Sequence, residues 1–140
     1  MANKILFKLL HPNAQVPARA TAGAAGFDLY ACEIEHKNGI YFIDTCVAAA
    51  IPDGMVGKVN IRSGLASRGC MLVNGTGIID SDYRGPIKLM LHKPYPVDII
   101  AGDRVGQIVF VILPDVKWVA VDELPATDRG VGGFGSTGRG

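Results

Sequence analysis

The 140-residue sequence has few charged residues and almost no excess of either sign. Asp, Glu, Lys and Arg make up 19% of it and the formal net charge is +1, whereas soluble domains usually carry about 25% charged residues. A general nucleic-acid-binding protein would show a strong basic excess, so we expect no nucleic-acid partner. The low charge and a mean hydropathy of +0.26 suggest that extra apolar surface is covered in an oligomer.

Long hydrophobic runs, closely spaced cysteines and targeting signals are also missing. No stretch approaches the roughly 20 apolar residues of a membrane-spanning helix, so we expect no membrane segment. The first 14 residues have too short an apolar run for a secretory signal and contain internal lysines. Cys32, Cys46 and Cys70 lack the spacing of a structural zinc site and are expected to be buried free thiols in a reducing compartment. We therefore expect a cytoplasmic or otherwise intracellular protein.

What the sequence does contain is a series of short apolar runs separated by Gly, Pro, Asn and Asp. Many short strands at spacings of about 8–12 residues are typical of an all-β sandwich or barrel, and the length fits one domain. One short helix is predicted over Ser63–Arg68. The predicted strands are Lys4–Leu10, Phe27–Ala31, Ile40–Phe42, Cys46–Ile51, Met55–Ile61, Met71–Val73, Gly77–Ile79, Ile87–His92, Val105–Leu113 and Trp118–Val121.

Two of these strands carry further information. The segment 86–92 largely alternates, which predicts that Ile87, Leu89 and Leu91 face a core. The segment 104–113, RVGQIVFVIL, is apolar on both faces, although one face of an antiparallel sheet usually meets water. Its second face is therefore predicted to meet another subunit. Gln107 within it either makes a core hydrogen bond or contacts a ligand.

The glycine-rich segment 122–140 follows the last predicted strand, and we expect it to be a flexible arm on a core formed by residues 1–121. Its GVGGFG run matches the dinucleotide-binding pattern GxGxxG, but no strand and helix flank it, so that function is excluded. A mobile tail is one interpretation. The other is a lid over a phosphorylated aromatic ligand, because glycine N–H groups, hydroxyls and Arg129 suit phosphate oxygens and Phe134 offers a stacking face.

Three polar positions could carry chemistry, and each has a simpler alternative. Asp80 follows an apolar run and is either a general base facing a water or an ordinary turn residue. Arg62 and Ser63 lie at a strand-to-helix junction and form either an anion site or a helix N-cap at Ser63 beside a solvated arginine. Asp28 stands alone in an apolar, glycine-rich run, and either caps a loop or lies near a hard cation such as Mg2+.

Five segments together are more specific than any one of them. AGFDLYA, RSGLA, GIIDSDYRG, GDRVGQIVF and RGVGGFGSTG resemble, in sequence and in order, the five motifs of the trimeric deoxyuridine triphosphatase (dUTPase) family, from about Ala25 to Thr137. Ile61 stands where the second motif usually has proline, and Gly106 where the fourth usually has alanine. Both are backbone or packing positions. The resemblance implies a distorted β-jelly-roll barrel that assembles as a homotrimer, in which the arm of one subunit closes over a site formed by others.

The family reaction implied by the resemblance is dUTP + water → dUMP + pyrophosphate with Mg2+, which keeps uracil out of DNA and supplies dUMP for thymidylate synthesis. Asp80 would activate the water that attacks the α-phosphorus, and Asp28 would hold a water on the Mg2+. The phosphates would be bound by Arg62, Ser63, Gly64, Gln107, Arg129, Gly135, Ser136 and Thr137. Uracil and deoxyribose would be bound by Asn74, Gly77, Ile79, Tyr83 and Phe134.

Two other functions are compatible with the same fold. A dCTP deaminase would need a glutamate near the base, but Glu33, Glu35 and Glu123 lie in no matching motif. A catalytically silent nucleotide-binding or regulatory module would bind nucleotide without turnover. The presence of Asp80, Asp28 and the complete arm favours the enzyme over both.

Overall fold

The structure is a computed structural model that describes residues 3–94, 97–136 and 138. This part of the chain is almost entirely β, with one single-turn helix, α1, at Ser63–Ala66. The strands are β1 Leu6–Leu9, β2 Phe27–Tyr30, β3 Glu33–Lys37, β4 Ile40–Ala50, β5 Met55–Ile61, β6 Met71–Leu72, β7 Gly77–Ile79, β8 Pro86–His92 and β9 Arg104–Ile112. No helix in the described ranges is long and apolar enough to span a membrane.

The strands form two antiparallel sheets. One has the order β1-β4-β8-β6 with β3 added to β4, and the other has the order β2-β9-β5-β7. The fully buried side chains come from both sheets and meet between them: Leu29, Ile43, Val59, Leu89, Leu91, Val105 and Ile108. The predicted all-β jelly-roll fold with one short helix is therefore confirmed.

The alternating pattern of β8 places its side chains as the sequence predicts. Ile87, Leu89 and Leu91 are all buried. Leu89 also accounts for one departure from the family motifs, because a Cβ at Gly106 would lie 2.6 Å from Leu89 Cδ2 and 2.9 Å from the Asn60 carbonyl oxygen. This core has no room for alanine at Gly106.

The hairpin of β3 and β4 differs from the sequence prediction. The two strands predicted at Ile40–Phe42 and Cys46–Ile51 are one strand, β4, with a bulge where its register against β8 shifts between Asp44 and Ala48. In the sequence, Asp44 and Thr45 resemble a turn between two strands. In the structure the Thr45 hydroxyl donates to the Ile87 carbonyl at 2.7 Å, and Asp44 Oδ1 accepts the Cys46 N–H at 2.7 Å. These bonds satisfy the polar groups inside the bulge.

Strand β3 is absent from the sequence prediction because all five of its residues are exposed and most are polar. It exists because the turn between it and β4 is favourable: Asn38 and Gly39 both have positive φ, 54° and 78°. This is the combination that a tight hairpin turn requires.

The strand predicted at Trp118–Val121 is wrong for the single chain. Leu113 donates the last hydrogen bond to the body, to the Gly54 carbonyl, and no strand follows in the described residues. Trp118 is fully exposed. An apolar run forms a strand only beside a partner strand, and within the described part of this chain the segment has none.

Candidate active site

One group of the predicted residues lies in a row across the four-stranded sheet. Asp28 of β2 pairs with Gln107 of β9, which pairs with Asn60 of β5. Asp28 is largely buried, and its two oxygens face Arg62 Nε at 3.3 Å and Arg104 Nη1 at 3.8 Å. A buried carboxylate is costly unless it is paired. The two guanidinium groups compensate Asp28, and Asp28 in turn fixes where Arg62 lies.

Gly26 determines where the Gln107 side chain can lie. A Cβ at Gly26 would overlap Gln107 Oε1 and would lie 3.0 Å from the Gln107 Cβ. The glutamine side chain therefore packs directly over the glycine backbone. Sequence reasoning missed a role for Gly26, although its place immediately before Phe27 in the first motif was a signal.

The helix α1 begins beside this row and leaves backbone donors free. Arg62 is the N-cap residue with an extended backbone and no side-chain cap, so the alternative of an N-cap at Ser63 is wrong. The Arg62 carbonyl accepts from Leu65 and Ala66, while no hydrogen bond from the N–H groups of Ser63 or Gly64 is found in the described part of the chain. Free N–H groups at such a turn suit anions.

A cavity of about 480 Å³ opens next to α1. Three guanidinium groups line it, those of Arg62, Arg68 and Arg104. Its two wall carboxylates already accept backbone N–H groups, Asp98 from Ile99 and Asp103 from Ile100. Guanidinium groups of this kind bind polyanions such as a phosphate chain. Sequence reasoning missed the involvement of Arg68, which lies outside the five motifs.

Asp80 lies in a different place, directly after the edge strand β7. It is exposed, and its carboxylate has no hydrogen bond or ion pair with any residue that the structure describes. On one side it lines a cavity of about 700 Å³ together with Asp53, Asp82 and Asp115. On the other it borders a hollow of about 170 Å³ with Tyr83 and Lys88. The carboxylates of the larger cavity would repel a triphosphate, so a substrate is expected to approach Asp80 from the side of Tyr83 and Lys88.

Tyr83 at that hollow, and Gly77 on the adjoining strand β7, make close contacts that fix their positions. The Tyr83 hydroxyl donates to the Pro86 carbonyl at 2.8 Å, and its ring covers Gly85, where a Cβ would overlap the hydroxyl oxygen. Gly77 packs against Val59, with 3.3 Å between its virtual Cβ and Val59 Cβ. Tyr83 can therefore act as a fixed wall.

The hairpin at residues 74–79 has a free side. Asn60 Nδ2 donates to Thr76 Oγ1 at 2.9 Å, which ties the loop to β5. A virtual Cβ at Gly77 is 3.8 Å from Asn74 Nδ2, so the Asn74 amide lies beside the start of β7. Strand β7, which ends at Ile79, pairs only with β5 among the described strands. Its outer edge presents backbone N–H and C=O groups in alternation, as a base-pairing partner does.

The structure does not bring the two groups together within one chain. Ile79 pairs with Gly57 near the start of β5, whereas Arg62 follows the end of β5. The Cα atoms of Asp80 and Arg62 are thus separated by roughly 20 Å, because about six residues of β5 at 3.3 Å each lie between their positions. A base and the phosphate ligands that serve one phosphorus must be much closer than this.

The arm residues are also apart from both groups. Arg129, Phe134, Gly135 and Ser136 are exposed, and the hydrogen bonds of this segment are internal, such as Arg129 Nε to the Gly132 carbonyl at 2.7 Å. Phe134 is fully exposed and has a positive φ of 51°. Thr137 lies outside the described residues.

Comparison with known proteins gives a consistent result. The dUTPase family model matches residues 12–138. The chain is 42% identical over 144 residues to the deoxyuridine 5'-triphosphate nucleotidohydrolase of Yarrowia lipolytica, covering 99% of this chain and 90% of that protein. It is 43% identical over 143 residues to the enzyme of the same name from Wolinella succinogenes, covering 97% and 95%.

Solved structures agree with the sequence relatives. The dUTPase of Staphylococcus bacteriophage 80alpha with dUpNHpp superimposes with a TM-score of 0.84 at 27% identity, covering 99% of this chain and all of that one. A single-residue variant of the dUTPase from phage phi11 of S. aureus, described with a structural Mg(II) ion, gives a TM-score of 0.74 at 25% identity over 86% of this chain and 98% of that one. The motifs, the fold and these relatives lead to one conclusion: the chain belongs to the dUTPase family.

Proposed function

We propose that this protein hydrolyses dUTP to dUMP and pyrophosphate, with Asp80 as the general base, in a site completed by neighbouring copies of the chain. The observation that carries the mechanism is the free carboxylate of Asp80 beside the hollow of Tyr83 and Lys88. A carboxylate without internal partners can accept a proton from a bound water. The water oxygen then attacks the α-phosphorus, and the bond to the β-phosphate oxygen breaks so that pyrophosphate leaves.

Phosphate binding is assigned to the row on the four-stranded sheet. Arg62 and Gln107 supply side-chain donors, while the backbone N–H groups of Ser63 and Gly64 supply further ones. The ion pair between Asp28 and Arg62, 3.3 Å long, supports a second task for Asp28, which is to aim the guanidinium. Donors fixed before the substrate arrives stabilise developing charge without reorganisation.

Mg2+ fits this site as a companion of the triphosphate. Mg2+ prefers oxygen ligands and usually keeps several waters. Both Asp28 oxygens already face guanidinium groups, so Asp28 is suited to hold a metal-bound water rather than the ion itself. When bound, Mg2+ would neutralise charge on the phosphates.

Recognition of the base is assigned to the hairpin at residues 74–79. The free edge of β7, including Gly77 and Ile79, offers backbone donors and acceptors to uracil, and Asn74 adds an amide. Cytosine would leave buried polar groups unpaired, which is costly. Tyr83, held by its bond to Pro86, would pack against deoxyribose and exclude a 2′-hydroxyl.

The assembly we propose is a homotrimer with shared sites. Two facts support it: Asp80 and Arg62 are far apart in one chain, and the arm leaves the body without a hydrogen bond to it in the described residues. In the trimer, Asp80 of one copy would face Arg62 of another. The segment 122–140 would close over that site, with Phe134 on uracil and Arg129, Gly135, Ser136 and Thr137 on the phosphates.

The experiment that tests the activity is pyrophosphate release from dUTP, dTTP, dCTP and UTP with Mg2+ and with EDTA. With Mg2+ we expect rapid pyrophosphate release from dUTP and not from the other three nucleotides. With EDTA we expect the release from dUTP to be lost. Ammonia from dCTP would instead identify a deaminase, and tight dUTP binding without release would identify a silent binding module. Either result would overturn the proposal.

A further inference from the structure

A second group of chemically reactive side chains lies on the other sheet. Cys32 precedes β3 and Glu33 begins it, Asp44 and Cys46 lie at the bulge of β4, and His11 follows β1. None of them belongs to the proposed active site. Sheet pairing assembles the group, since Glu33 is the register partner of Asp44 and the Cys46 carbonyl accepts the Leu10 N–H.

Their donor atoms are close enough to share one ion. A carboxylate oxygen of Glu33, a carboxylate oxygen of Asp44 and the Cys46 sulfur all lie within 4.8 Å of one another. The Cys32 side chain packs against the small buried cluster that contains Cys46. His11 Nε2 is 3.6 Å from Glu33 Oε1. Zinc bonds of about 2.0–2.3 Å need only small side-chain movements from such an arrangement.

We propose that Cys46, Asp44 and Glu33, with Cys32 as the neighbouring sulfur donor, form a binding site for a thiophilic divalent cation of the Zn2+ class. The donor set of sulfur and carboxylate oxygen is the kind that zinc accepts, whereas Mg2+ prefers oxygen alone. The exposed Glu33 leaves an entry path from solvent. His11 can hydrogen-bond Glu33 from outside the site and orient it.

The charges around the sulfur are consistent with a cation site. The carboxylates of Glu33 and Asp44 place negative charge close to the Cys46 sulfur. Lys88, 3.8 Å from Asp44, offsets this charge only partly, so the cluster suits a divalent cation. The site leaves no sign in the sequence because its ligands come from separate segments and not from a close cysteine pair.

The test uses the full-length, EDTA-treated enzyme without nucleotide. Cd2+, a spectroscopic substitute for Zn2+, should produce sulfur-to-metal charge-transfer absorbance that saturates at one ion per chain. Zn2+ should compete for the same site and raise the melting temperature. Cys46→Gly removes the sulfur and suits the positive φ of 55° at this position, so the variant should fold. We expect it to lose most of the absorbance, since only Cys32 remains as a sulfur donor in the cluster, and to weaken Zn2+ binding by at least about 10-fold.

Two further variants separate the site from other thiols and carboxylates. Glu33→Gln, at an exposed side chain, should weaken Zn2+ binding while leaving dUTP hydrolysis unchanged. Cys70→Ala is the matched control, because Cys70 is also a buried free cysteine but lies outside the cluster, and it should keep the full signal. Absence of charge transfer in the wild type, or equal signals in wild type and Cys46→Gly, would overturn the proposal.

Discussion

At the scale of single residues, Asp80 is the position where chemistry and stability are most clearly separated. Its carboxylate is exposed and has no partner in the described part of the chain, so Asp80→Asn should leave the melting temperature nearly unchanged. Turnover should fall by at least about 100-fold, because general-base catalysis contributes on the order of 10²–10⁴. Pyrophosphate release measures the loss, and calorimetry with dUTP shows that binding survives. Asp82→Asn, in the same acidic cavity, is the control and should remain active; an Asp80→Asn enzyme of normal rate would remove Asp80 from its role.

Gly26 offers a test of Gln107 that does not alter the glutamine itself. A methyl at Gly26 would overlap Gln107 Oε1, the end of a flexible side chain, and would lie 3.0 Å from Gln107 Cβ, so the amide must be displaced and β9 must shift slightly. Gly26→Ala should therefore reduce kcat/KM for dUTP by at least about 10-fold, equal to about 1.4 kcal/mol, with little change in melting temperature. Gly23→Ala is the control. A Cβ at Gly23 would have no other heavy atom within 4 Å, so this variant should behave as wild type. Equal activity of the two variants would show that Gln107 does not bind phosphate.

Cys46 gives a pH dependence whose sign follows from its environment. Burial first, then Cys32, Asp44 and Glu33, raise the pKa of Cys46 from 9.0 to about 12. Between these values the unfolded chain has lost the thiol proton while the folded chain keeps it. The free energy of unfolding then falls as pH rises, by about 1.4 kcal/mol per pH unit from this group.

Denaturant unfolding in EDTA at several pH values on either side of the ordinary thiol pKa measures this effect. Tyrosine and lysine residues also titrate in this pH range, but they do so equally in all variants. The variants are therefore compared by the slope of the free energy of unfolding against pH. Cys46→Gly should lose stability less steeply than wild type once the pH exceeds the ordinary value of 9.0. Parallel curves for the two proteins would contradict a strongly raised pKa of the Cys46 thiol.

At the scale of elements, the sequence predicts a strand well when apolar and polar residues alternate along it. It predicts a strand poorly when the strand depends on a bulge or on a partner strand. The core positions of β8 are confirmed because period-two alternation directly reports burial. The bulge of β4 is missed because Asp44 and Thr45 resemble a turn, although their hydrogen bonds lie inside the strand. The segment at Trp118 has strand-like residues without a partner among the described strands of its own chain. Local pattern cannot say which chain supplies a neighbour.

The same limit applies to the candidate site. The motifs identify Asp28, Arg62 and Gln107 together, and sheet register explains why they meet. Motif order contains no information on distance, so the separation of Asp80 from Arg62 requires the structure. Arg68 lines the cavity beside α1 but lies outside the motifs, so the sequence gives no signal for it. Gly26 lies against Gln107, and its only signal is its place in the first motif.

The arm is the element whose removal should affect function alone. Residues 114–136 make no hydrogen bond to the body after Leu113, within the described residues, so deleting residues 128–140 should leave the melting temperature almost unchanged. Turnover of dUTP should be abolished, because Arg129, Phe134 and Ser136 are lost together. Pyrophosphate release and a thermal melt on the truncated protein check both expectations. A truncated enzyme with full activity would contradict a closing lid.

At the scale of the whole molecule, the exposed apolar surface supports the proposed homotrimer. Trp118, Val119 and Leu124 in the segment after β9, and Leu6 and Phe7 on the edge strand β1, are all exposed in the single chain. Large apolar side chains that are exposed together favour an interaction site. A homotrimer would cover it and would also bring the two halves of the site together.

Mixing two inactive variants tests whether the halves belong to different chains. Asp80→Asn lacks the base, and Arg62→Ala lacks a phosphate ligand while Arg104, 3.8 Å from Asp28, still pairs with the buried carboxylate. If Asp80 of one copy serves Arg62 of another, co-refolded equal amounts should restore about a quarter of the sites, since half of the chains supply each intact residue independently. Separately refolded and then briefly mixed variants are the control and should stay inactive. If both residues of a site came from the same chain, no mixture would recover pyrophosphate release, and the shared-site trimer would be wrong.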